Sequence, residues 1–411
     1  MSTIVNHTLS NGLSVVIEPI AGGESVGLNW LVPAGHGHDP ADRLGLGELT
    51  SEMLLRGAAH HDARAQADEF DLVGASRSAS VGVRFMRLGA TALGANLARV
   101  LELVGDSVLR PRLSDDAFEP SRELCLQAIE SLADDPQQRC SISANERHFP
   151  DPYGRSGMGT REGLAAATAR DVRTFWSTRA APGASILGIA GAVDVDATLT
   201  LLEEMLGDWS GAGSEPPAGA PGGRGLDHIE DESNQVQIVV LHDAPAAGDE
   251  ASVLERVALS VLSGGMSGRL FTEVREKRGL CYAVSAGYRA DRDRGWVSAY
   301  VGTTPERAQE SLDVLVAELR RINETGVEPE EFASAVAGLK SRIVFSGESS
   351  GARAGAIATD LHALGRPRSL EEQAAEIDGV TLDRLNAYLK GRQLGTLTVQ
   401  TLGPAPLTFA G

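Results

Sequence analysis

The feature that most constrains the fold is an order of predicted elements that occurs twice along the 411-residue chain. Residues 210–225, SGAGSEPPAGAPGGRG, are almost all small residues or proline, a composition typical of a flexible, solvated linker. The sequences on either side have nearly equal lengths. Each predicts a strand, a helix, further strands, a helix pair, a helix and a final strand. The sequence therefore predicts an α+β fold with two homologous domains, 1–209 and 226–411, each a mainly antiparallel β-sheet with helices packed on one face.

The two halves correspond segment by segment. In each half the first helical region ends at an Arg-Gly pair, and glycine favours the left-handed conformation that terminates helices. A helix pair follows, and a helix that begins after a threonine then leads into an apolar strand. The matched segments are Arg56-Gly57 with Arg278-Gly279, 94–109 with 305–320, 115–132 with 329–345, 168–175 with 381–388, and 185–190 with 395–402.

The charge and the cysteine content argue against several classes of function. A net charge of −19 at pH 7 disfavours binding to nucleic acid or anionic membranes, both of which attract basic surfaces. The three cysteines are widely spaced, without a C-x-x-C pair, which indicates free thiols in a reducing compartment. The sequence contains no run of about 18 apolar residues and no recognisable signal peptide. These features predict a cytoplasmic protein.

Six motifs spread over the chain carry a family resemblance. They are NGLSVVIEP at 11–19, GLGELTSEMLLRG at 45–57, Asp134-Asp135-Pro136, Pro152-Tyr153-Gly154-Arg155, Gly191-Ala192-Val193-Asp194 and GGMSGRLFTEVREKRGLCY at 264–282. Together they resemble the pitrilysin/insulinase-type zinc metallopeptidases, or inverzincins. More narrowly, the chain is similar to the two-domain bacterial branch that resembles processing peptidases. The resemblance implies domains of the LuxS and processing-peptidase type, shaped as half-shells around a peptide chamber.

The resemblance places the zinc motif of the family on the first helix. In H-x-x-E-H, two histidines one helical turn apart bind Zn²⁺ and the glutamate activates water. The corresponding residues here are Glu48, Ser51 and Glu52, and the third ligand position, on a later helix, holds Ala128. The chain is therefore expected to hold no metal and no cofactor of its own. Two alternatives remain open for the glutamates: a harder cation, or a solvated or salt-bridged pair.

A histidine-rich segment also leaves two interpretations open. His36 and His38 lie in AGHGHDP, and His60-His61 follow nearby in the sequence. They could form a relocated metal site, or they could be residues of a solvent-exposed loop. The Gly/Asp/Pro surroundings and the absence of a nearby cysteine favour the exposed loop.

The second half retains a pair of residues that the resemblance assigns to substrate contact. VREKRGLCY supplies Arg275 and Tyr282, which flank a helix-ending glycine, so that both side chains can converge on one substrate carbonyl. The alternative is that Arg275 belongs to a solvated run of charges and that Tyr282 is an ordinary sheet tyrosine. The resemblance favours substrate contact.

Two further segments are predicted to bind substrate. The first lies where family members offer a strand edge to the peptide backbone, and it begins with Gly74, Ala75, Ser76 and Arg77. The second, SGGMSG, contains Gly264 and Gly265 and resembles the glycine-rich segment of non-catalytic processing-peptidase subunits. It is either a substrate-gating loop or a tight turn before a helix.

The sequence thus predicts the non-zinc-binding subunit, a pseudoenzyme, of a heterodimeric metallopeptidase. A homologous partner with an intact H-x-x-E-H motif would carry the zinc, and this chain would contribute Arg275 and Tyr282 to a shared peptide substrate. One alternative is an inert structural or peptide-holding homologue of processing-peptidase core subunits. Another is a self-sufficient enzyme with unusual metal chemistry.

Overall fold

The computed structural model describes residues 4–217 and 219–409. Its strands are β1 (Val5–Thr8), β2 (Ser14–Pro19), β3 (Ser25–Val32), β4 (Gly57–Ala58), β5 (His61–Asp62), β6 (Ser76–Val81), β7 (Met86–Leu93), β8 (Ile186–Gly191), β9 (Gly225–Glu230), β10 (Val236–Ala244), β11 (Cys281–Ala290), β12 (Gly295–Thr303) and β13 (Thr398–Gly403). Its helices are α1 (Leu46–Leu54), α2 (Ala63–Leu72), α3 (Leu97–Leu109), α4 (Asp115–Ser131), α5 (Pro136–His148), α6 (Arg161–Ala166), α7 (Ala169–Arg179), α8 (Val195–Leu206), α9 (Ser252–Ser263), α10 (Ala308–Thr325), α11 (Pro329–Gly347), α12 (Ser350–Leu364), α13 (Leu370–Asp378) and α14 (Leu382–Gly391). A π-helical turn, Phe271–Glu276, lies between α9 and β11.

The chain forms two compact units, which differ from the two sequence halves in two segments. Unit 1 lies within 1–131, 155–218 and 346–369. Unit 2 lies within 132–154, 219–345 and 370–411. The segments 132–154 and 346–369 are thus each packed with the unit built mainly from the other half of the sequence.

Unit 1 is built on a six-stranded sheet in the order β1-β2-β8-β3-β7-β6. Strands β2 and β8 are parallel, and the other neighbours are antiparallel. Apolar side chains alternate between the two faces, as the period of a strand requires. Val15 and Ile17 join the main core under α1, α3, α7 and α8, whereas Val16 faces a second, smaller core.

Unit 2 repeats this topology with one strand fewer. Its sheet has the order β9-β13-β10-β12-β11, and β9 and β13 are the parallel pair. Strands β9, β13, β10, β12 and β11 therefore correspond to β2, β8, β3, β7 and β6. The repeated topology and the mainly antiparallel sheets confirm the predicted α+β fold class.

The sequence predicts helices on one face of each sheet only. In the structure, each sheet also carries one helix on its opposite face. Helix α12 packs on β3, β8 and β2 of unit 1, where Ala354, Ile357 and Ala358 complete the smaller core. Helix α5 packs on β10 and β13 of unit 2 through Cys140 and Ala144. These two helices lie in the segments 346–369 and 132–154. Because the apolar face of each helix packs on a sheet of the other half of the sequence, each segment belongs to the unit that contains that sheet.

The first part of the segment predicted to be a flexible linker is held by specific contacts in unit 1. The Gly211 carbonyl accepts a hydrogen bond from Gly183 at 3.1 Å, and the Ser214 hydroxyl accepts one from Arg179 at 3.0 Å. Glu215 forms an ion pair with Arg84. As the composition predicts, the described residues of this segment form neither helix nor strand before β9 begins. In the described parts of the chain, every helix is too short or too polar to cross a bilayer.

Candidate functional site

Helix α1 carries three of the four residues at the zinc-motif positions. Asp39 fixes the start of this helix, because its carboxylate accepts hydrogen bonds from the backbone N–H groups of Gly45 and Gly47 at 2.8 and 2.9 Å. The apolar residues of α1 face the main core. Glu48 and Glu52 are one helical turn apart and half-buried.

Glu52 lies close enough to Glu48 for its charge to affect the protonation of Glu48. Burial raises the pKa of Glu48, and the charge of Glu52 raises it further. Ser51 occupies the position of the catalytic glutamate and is only 3% exposed. A buried hydroxyl cannot replace a carboxylate as the base that takes a proton from water.

Cys125 on α4, which the sequence analysis does not single out, faces the same two glutamates. Burial raises the pKa of its thiol to about 12, and the charges of Glu48 and Glu52 contribute to that rise. Even with this thiol, the two glutamates do not form a group of three side chains that could hold a metal ion among the described residues. The position of Cys125 one helical turn before Ala128 is the sequence signal that could have revealed it.

Ala128 is exposed on α4 and offers only a methyl group at the third ligand position. Its backbone carbonyl accepts a hydrogen bond from the Ser131 hydroxyl at 2.7 Å. Among the described residues, no three His, Cys, Asp or Glu side chains are grouped in a way that could hold a metal ion. Two carboxylates with no imidazole and no third carboxylate do not fit the nitrogen- and carboxylate-bound zinc of a hydrolytic site.

The H-x-H segment is buried, so the interpretation as an exposed loop is wrong. His36 and His38 lie in a short 3₁₀ turn and are 5% and 9% exposed. Packing of the glycine-rich turn against neighbouring backbone causes this burial, because a Cβ on Gly35 would lie 2.3 Å from the Val83 carbonyl oxygen. Burial lowers the pKa of both histidines to about 4, and the charges of Arg155 and Arg179 contribute at His36 and His38 respectively.

Arg275 lies in the π-helical turn and is the one cation of its run that lacks an ion pair among the described residues. Glu273 pairs with Lys277 and with Arg278, both at 2.7 Å. The exposed Arg275 guanidinium instead lies over the ring of Phe271, with its Cζ 5.0 Å from the ring centroid. The local ion pairs of the run therefore leave Arg275 available to an external acceptor.

Tyr282 follows the helix-ending glycine and sits at an irregularity of an edge strand. Gly279 has a φ of +60°, and its N–H bonds the Arg275 carbonyl at 3.0 Å, which closes the turn. Of the described strands, β12 alone pairs with β11. The register shifts between Cys281 and Ala283, which leaves Tyr282 as the bulged residue. A bulge re-aims a side chain, and Tyr282 is 77% exposed.

Arg275 is near this bulge. The π-helical turn that carries Arg275 packs against β11, the strand that contains the bulge. Burial raises the pKa of Cys281, and the charge of Arg275 opposes that rise. The structure thus brings Arg275 and the start of β11 together in unit 2.

The first predicted substrate segment begins an edge strand of unit 1. Gly74 has a φ of +62° and ends α2, and the buried Ala75 bonds the Phe70 carbonyl at 2.9 Å. Ser76 and Arg77 start β6, which pairs with β7 and with no other described strand. The other edge of β6 therefore presents unpaired backbone groups.

The Arg77 side chain packs inward instead of extending from this edge. Its Cζ lies 4.9 Å from the ring centroid of Phe70, and burial lowers its pKa. The Ser76 hydroxyl bonds Thr91 at 2.5 Å. Backbone pairing is therefore the contact that β6 is best placed to offer.

The glycine-rich segment forms a short turn between α9 and the next helical region. Gly264 ends α9, and its carbonyl accepts a hydrogen bond from Arg342 at 3.4 Å. The Gly265 carbonyl accepts one from the Gly268 N–H at 3.0 Å. This geometry corresponds to the tight-turn alternative for SGGMSG.

Two family models match consecutive parts of the chain. The model described as insulinase (peptidase family M16) matches residues 14–161, and the model described as the peptidase M16 inactive domain matches residues 166–339. An uncharacterized zinc protease of Mycobacterium tuberculosis is 28% identical over 407 residues, which cover 97% of this chain and 92% of the relative. The uncharacterized zinc protease YmxG of Bacillus subtilis is 23% identical, covering 96% of each chain.

Solved structures share the fold along the whole chain. A peptidase M16 inactive domain from Pseudomonas fluorescens has a TM-score of 0.86 at 21% identity, covering 99% of this chain and 100% of the other. A protease from Helicobacter pylori has a TM-score of 0.83 at 18% identity, covering 98% and 100%. With both family models matched along most of its length, the chain belongs to the insulinase (M16) peptidase family.

Proposed function

We propose that this chain is the non-zinc-binding subunit of a heterodimeric zinc metallopeptidase that degrades or processes peptides. A homologous partner with an intact H-x-x-E-H motif carries the zinc and the base, and this chain contributes Arg275 and Tyr282. One asymmetry supports the proposal. The residues at the zinc-motif positions do not fit the metal, whereas Arg275 has no ion pair with any residue that the structure describes and Tyr282 is exposed on a bulge.

The chemistry that we assign to this chain is hydrogen-bond donation. A guanidinium and a phenol are donors that bind a substrate carbonyl and stabilise the negative charge that develops on its oxygen during hydrolysis. The zinc of the partner would supply Lewis-acid activation of water. The open edge of β6 supports a second contribution, in which an extended peptide pairs with the strand through backbone groups alone.

Thiol chemistry is compatible with a cytoplasmic complex. Cys125, Cys140 and Cys281 are free and buried. Burial raises the pKa of each thiol, so none is a reactive thiolate at neutral pH. Free cysteines are typical of proteins in a reducing compartment, which is also what the spacing of the cysteines indicates.

The proposal is tested by reconstitution with an M16 homologue from the same organism that has an intact H-x-x-E-H motif. Cleavage of an unfolded peptide is expected from the mixture and not from this chain alone. Arg275→Ala and Tyr282→Phe should each lower kcat about 10²-fold, the typical cost of removing one donor to a developing oxyanion. Lys277→Ala is the matched control, because it removes a neighbouring cation that already pairs with Glu273.

The outcomes separate the remaining alternatives. Normal complex formation with turnover unaffected by either Arg275→Ala or Tyr282→Phe would favour the inert, peptide-holding homologue. Chelator-sensitive cleavage by the isolated chain would contradict the proposal and favour a self-sufficient enzyme.

A further inference from the structure

Each half of the sequence supplies one helix to the folded unit that is built mainly from the other half. Helix α12 comes from the second half and completes the smaller core of unit 1. Helix α5 comes from the first half and packs on the sheet of unit 2. The exchange is therefore reciprocal, whereas two domains joined only by a linker would exchange no helices.

Helix α12 is held in unit 1 by apolar contacts and by a buried ion pair. Ala354, Ile357 and Ala358 are fully buried in the smaller core. Next to them, Nε of Arg353 donates a hydrogen bond to the Glu18 carboxylate of β2 at 2.8 Å, and the two residues are 1% and 2% exposed. Withdrawing α12 would expose both sides of this core to water, which is strongly unfavourable.

Helix α5 is held in unit 2 by contacts of the same kind. Cys140 and Ala144 are fully buried on β10 and β13. The buried His148 shares a hydrogen bond with the Thr398 hydroxyl of β13 at 2.9 Å from its Nδ1. Withdrawing α5 would therefore expose the apolar side chains on that face of the sheet.

The linker itself contributes little packing. Among the described residues of 210–225, Pro216 alone is buried. Gly223 follows the part of the linker that contacts unit 1, and no atom lies within 4 Å of a Cβ added there. The chain can therefore be lengthened and cut after Gly223 without displacing a packed group.

We propose that the two halves of the chain form an interlocked pair that remains one folded particle when the linker is cut. The fragments can separate only if α12 leaves unit 1 and α5 leaves unit 2. Each helix is thus the docking partner of a sheet in the other half, and these contacts hold the halves together without a covalent link. Neither zinc nor substrate takes part in this interlock, so it does not depend on the proposed peptidase role.

The test uses the full chain with a sequence-specific protease site inserted after Gly223 and cut after folding. Size-exclusion chromatography at about 1 µM protein should give one peak, at the elution volume of the uncut chain, with both fragments in equal amounts. The urea midpoint of the cut chain should rise with protein concentration, because the fragments part on unfolding. The same insertion variant left uncut is the control, and its midpoint should not depend on concentration.

A substitution in α12 tests whether the exchanged helix is responsible. Ile357→Ala leaves a cavity in the smaller core and should weaken the association of the cut fragments by at least about tenfold, measured by chromatography of a dilution series in moderate urea. Val344→Ala truncates a side chain that is 61% exposed and should leave the association unchanged.

Two results would overturn the proposal. They are separate elution of the fragments from the cut chain at about 1 µM, and an unchanged association in Ile357→Ala. If Ile357→Ala does not fold before cutting, the milder Ile357→Val decides, with an expected weakening of several-fold, and an unchanged association there rejects the interlock.

Discussion

Glu48 and Glu52 keep the one-turn spacing of a metal-binding pair on α1 without its imidazoles. Ser51 lies between them, and Ala128 lies on α4. All four zinc-motif positions are therefore helical, but they lack the imidazole and carboxylate donors of a zinc site. Cys125 does not compensate, because among the described residues it does not form a metal-binding group with the two glutamates. The types of metal-ligating side chain at these positions decide whether zinc can bind, and they can be read directly from the sequence.

Three buried histidines make the stability of the chain depend on pH. Burial is the largest cause that lowers the pKa of His36, His38 and His242 to about 4, from an unfolded value of 6.5. Between these values the unfolded chain binds more protons, so the free energy of unfolding falls as the pH drops from about 7 towards 4. Asp39, whose pKa burial raises to about 7, has the opposite slope and offsets part of this loss. Urea unfolding at about pH 7.5 and pH 5 should therefore give a lower stability at the acidic pH.

A histidine substitution identifies the groups responsible for this slope. His38→Gln removes one buried titrating group and should reduce the difference between the two pH values. His7→Gln, at an exposed position, should leave it unchanged. An equal pH dependence in His38→Gln and wild type would contradict the assignment.

The surroundings of several single residues depend on tertiary contacts that the sequence does not reveal. The run 273–278 indicates a charged segment, but the choice of ion pairs depends on helix geometry, so only the structure reveals that Arg275 has no ion-pair partner among the described residues. The sequence does not point to Cys125, because its neighbours Glu48 and Glu52 belong to a helix that is distant in the chain. The Gly/Asp/Pro surroundings of His36 and His38 are typical of exposed loops, whereas tertiary packing buries both side chains.

At the scale of elements, helices α5 and α12 distinguish the folded units from the sequence halves. The helix pairs and strands follow the periodicity of the sequence, but periodicity does not indicate which sheet a helix will cover. Small residues allow α12 to approach its sheet closely. A Cβ on Gly27 would lie 2.3 Å from the Gly351 nitrogen, and one on Gly188 would lie 2.2 Å from the Ala354 carbonyl oxygen.

This close approach predicts that Gly188→Ala destabilises unit 1. The added methyl group meets helix backbone, which cannot move as a side chain can, so a loss of about 1–3 kcal/mol in the free energy of unfolding is expected. Chemical denaturation measures it. Gly248→Ala is the matched control, because no atom lies within 4 Å of the added Cβ, and it should change stability little. Equal stability of the two variants would refute the close contact between α12 and β8.

The bulge at Tyr282 is another feature of element scale that the sequence does not reveal. The pattern indicates a strand from Tyr282 onwards, and the strand is present. The register shift arises from pairing with β12, which is non-local. The exposure of Tyr282 therefore depends on sheet geometry as well as on residue type.

At the scale of the whole molecule, the repeated topology accounts for most of what the sequence predicts. Two copies of one α+β plan, with the same parallel and antiparallel neighbours, explain why the element order occurs twice. The plan positions the zinc-motif residues in unit 1 and the Arg275 turn in unit 2. Each group can therefore change without the other.

A fold that does not depend on zinc should be indifferent to chelation. A ligand that binds only the native state raises its stability, so removing a bound metal lowers the melting temperature. Thermal unfolding of the isolated chain should therefore give the same Tm with and without a strong chelator. A reproducible decrease in Tm on chelation would indicate a structural metal.

The most direct test of the account is the zinc content of the isolated chain after loading with zinc and removal of the excess, measured by plasma emission. The wild-type chain should retain far less than one zinc ion per molecule. A variant that combines Glu48→His, Ser51→Glu, Glu52→His and Ala128→Glu should retain about one, because it restores a histidine and glutamate donor set on the same helices. Stoichiometric zinc in the wild-type chain would contradict the central claim that its zinc-motif positions cannot hold the metal.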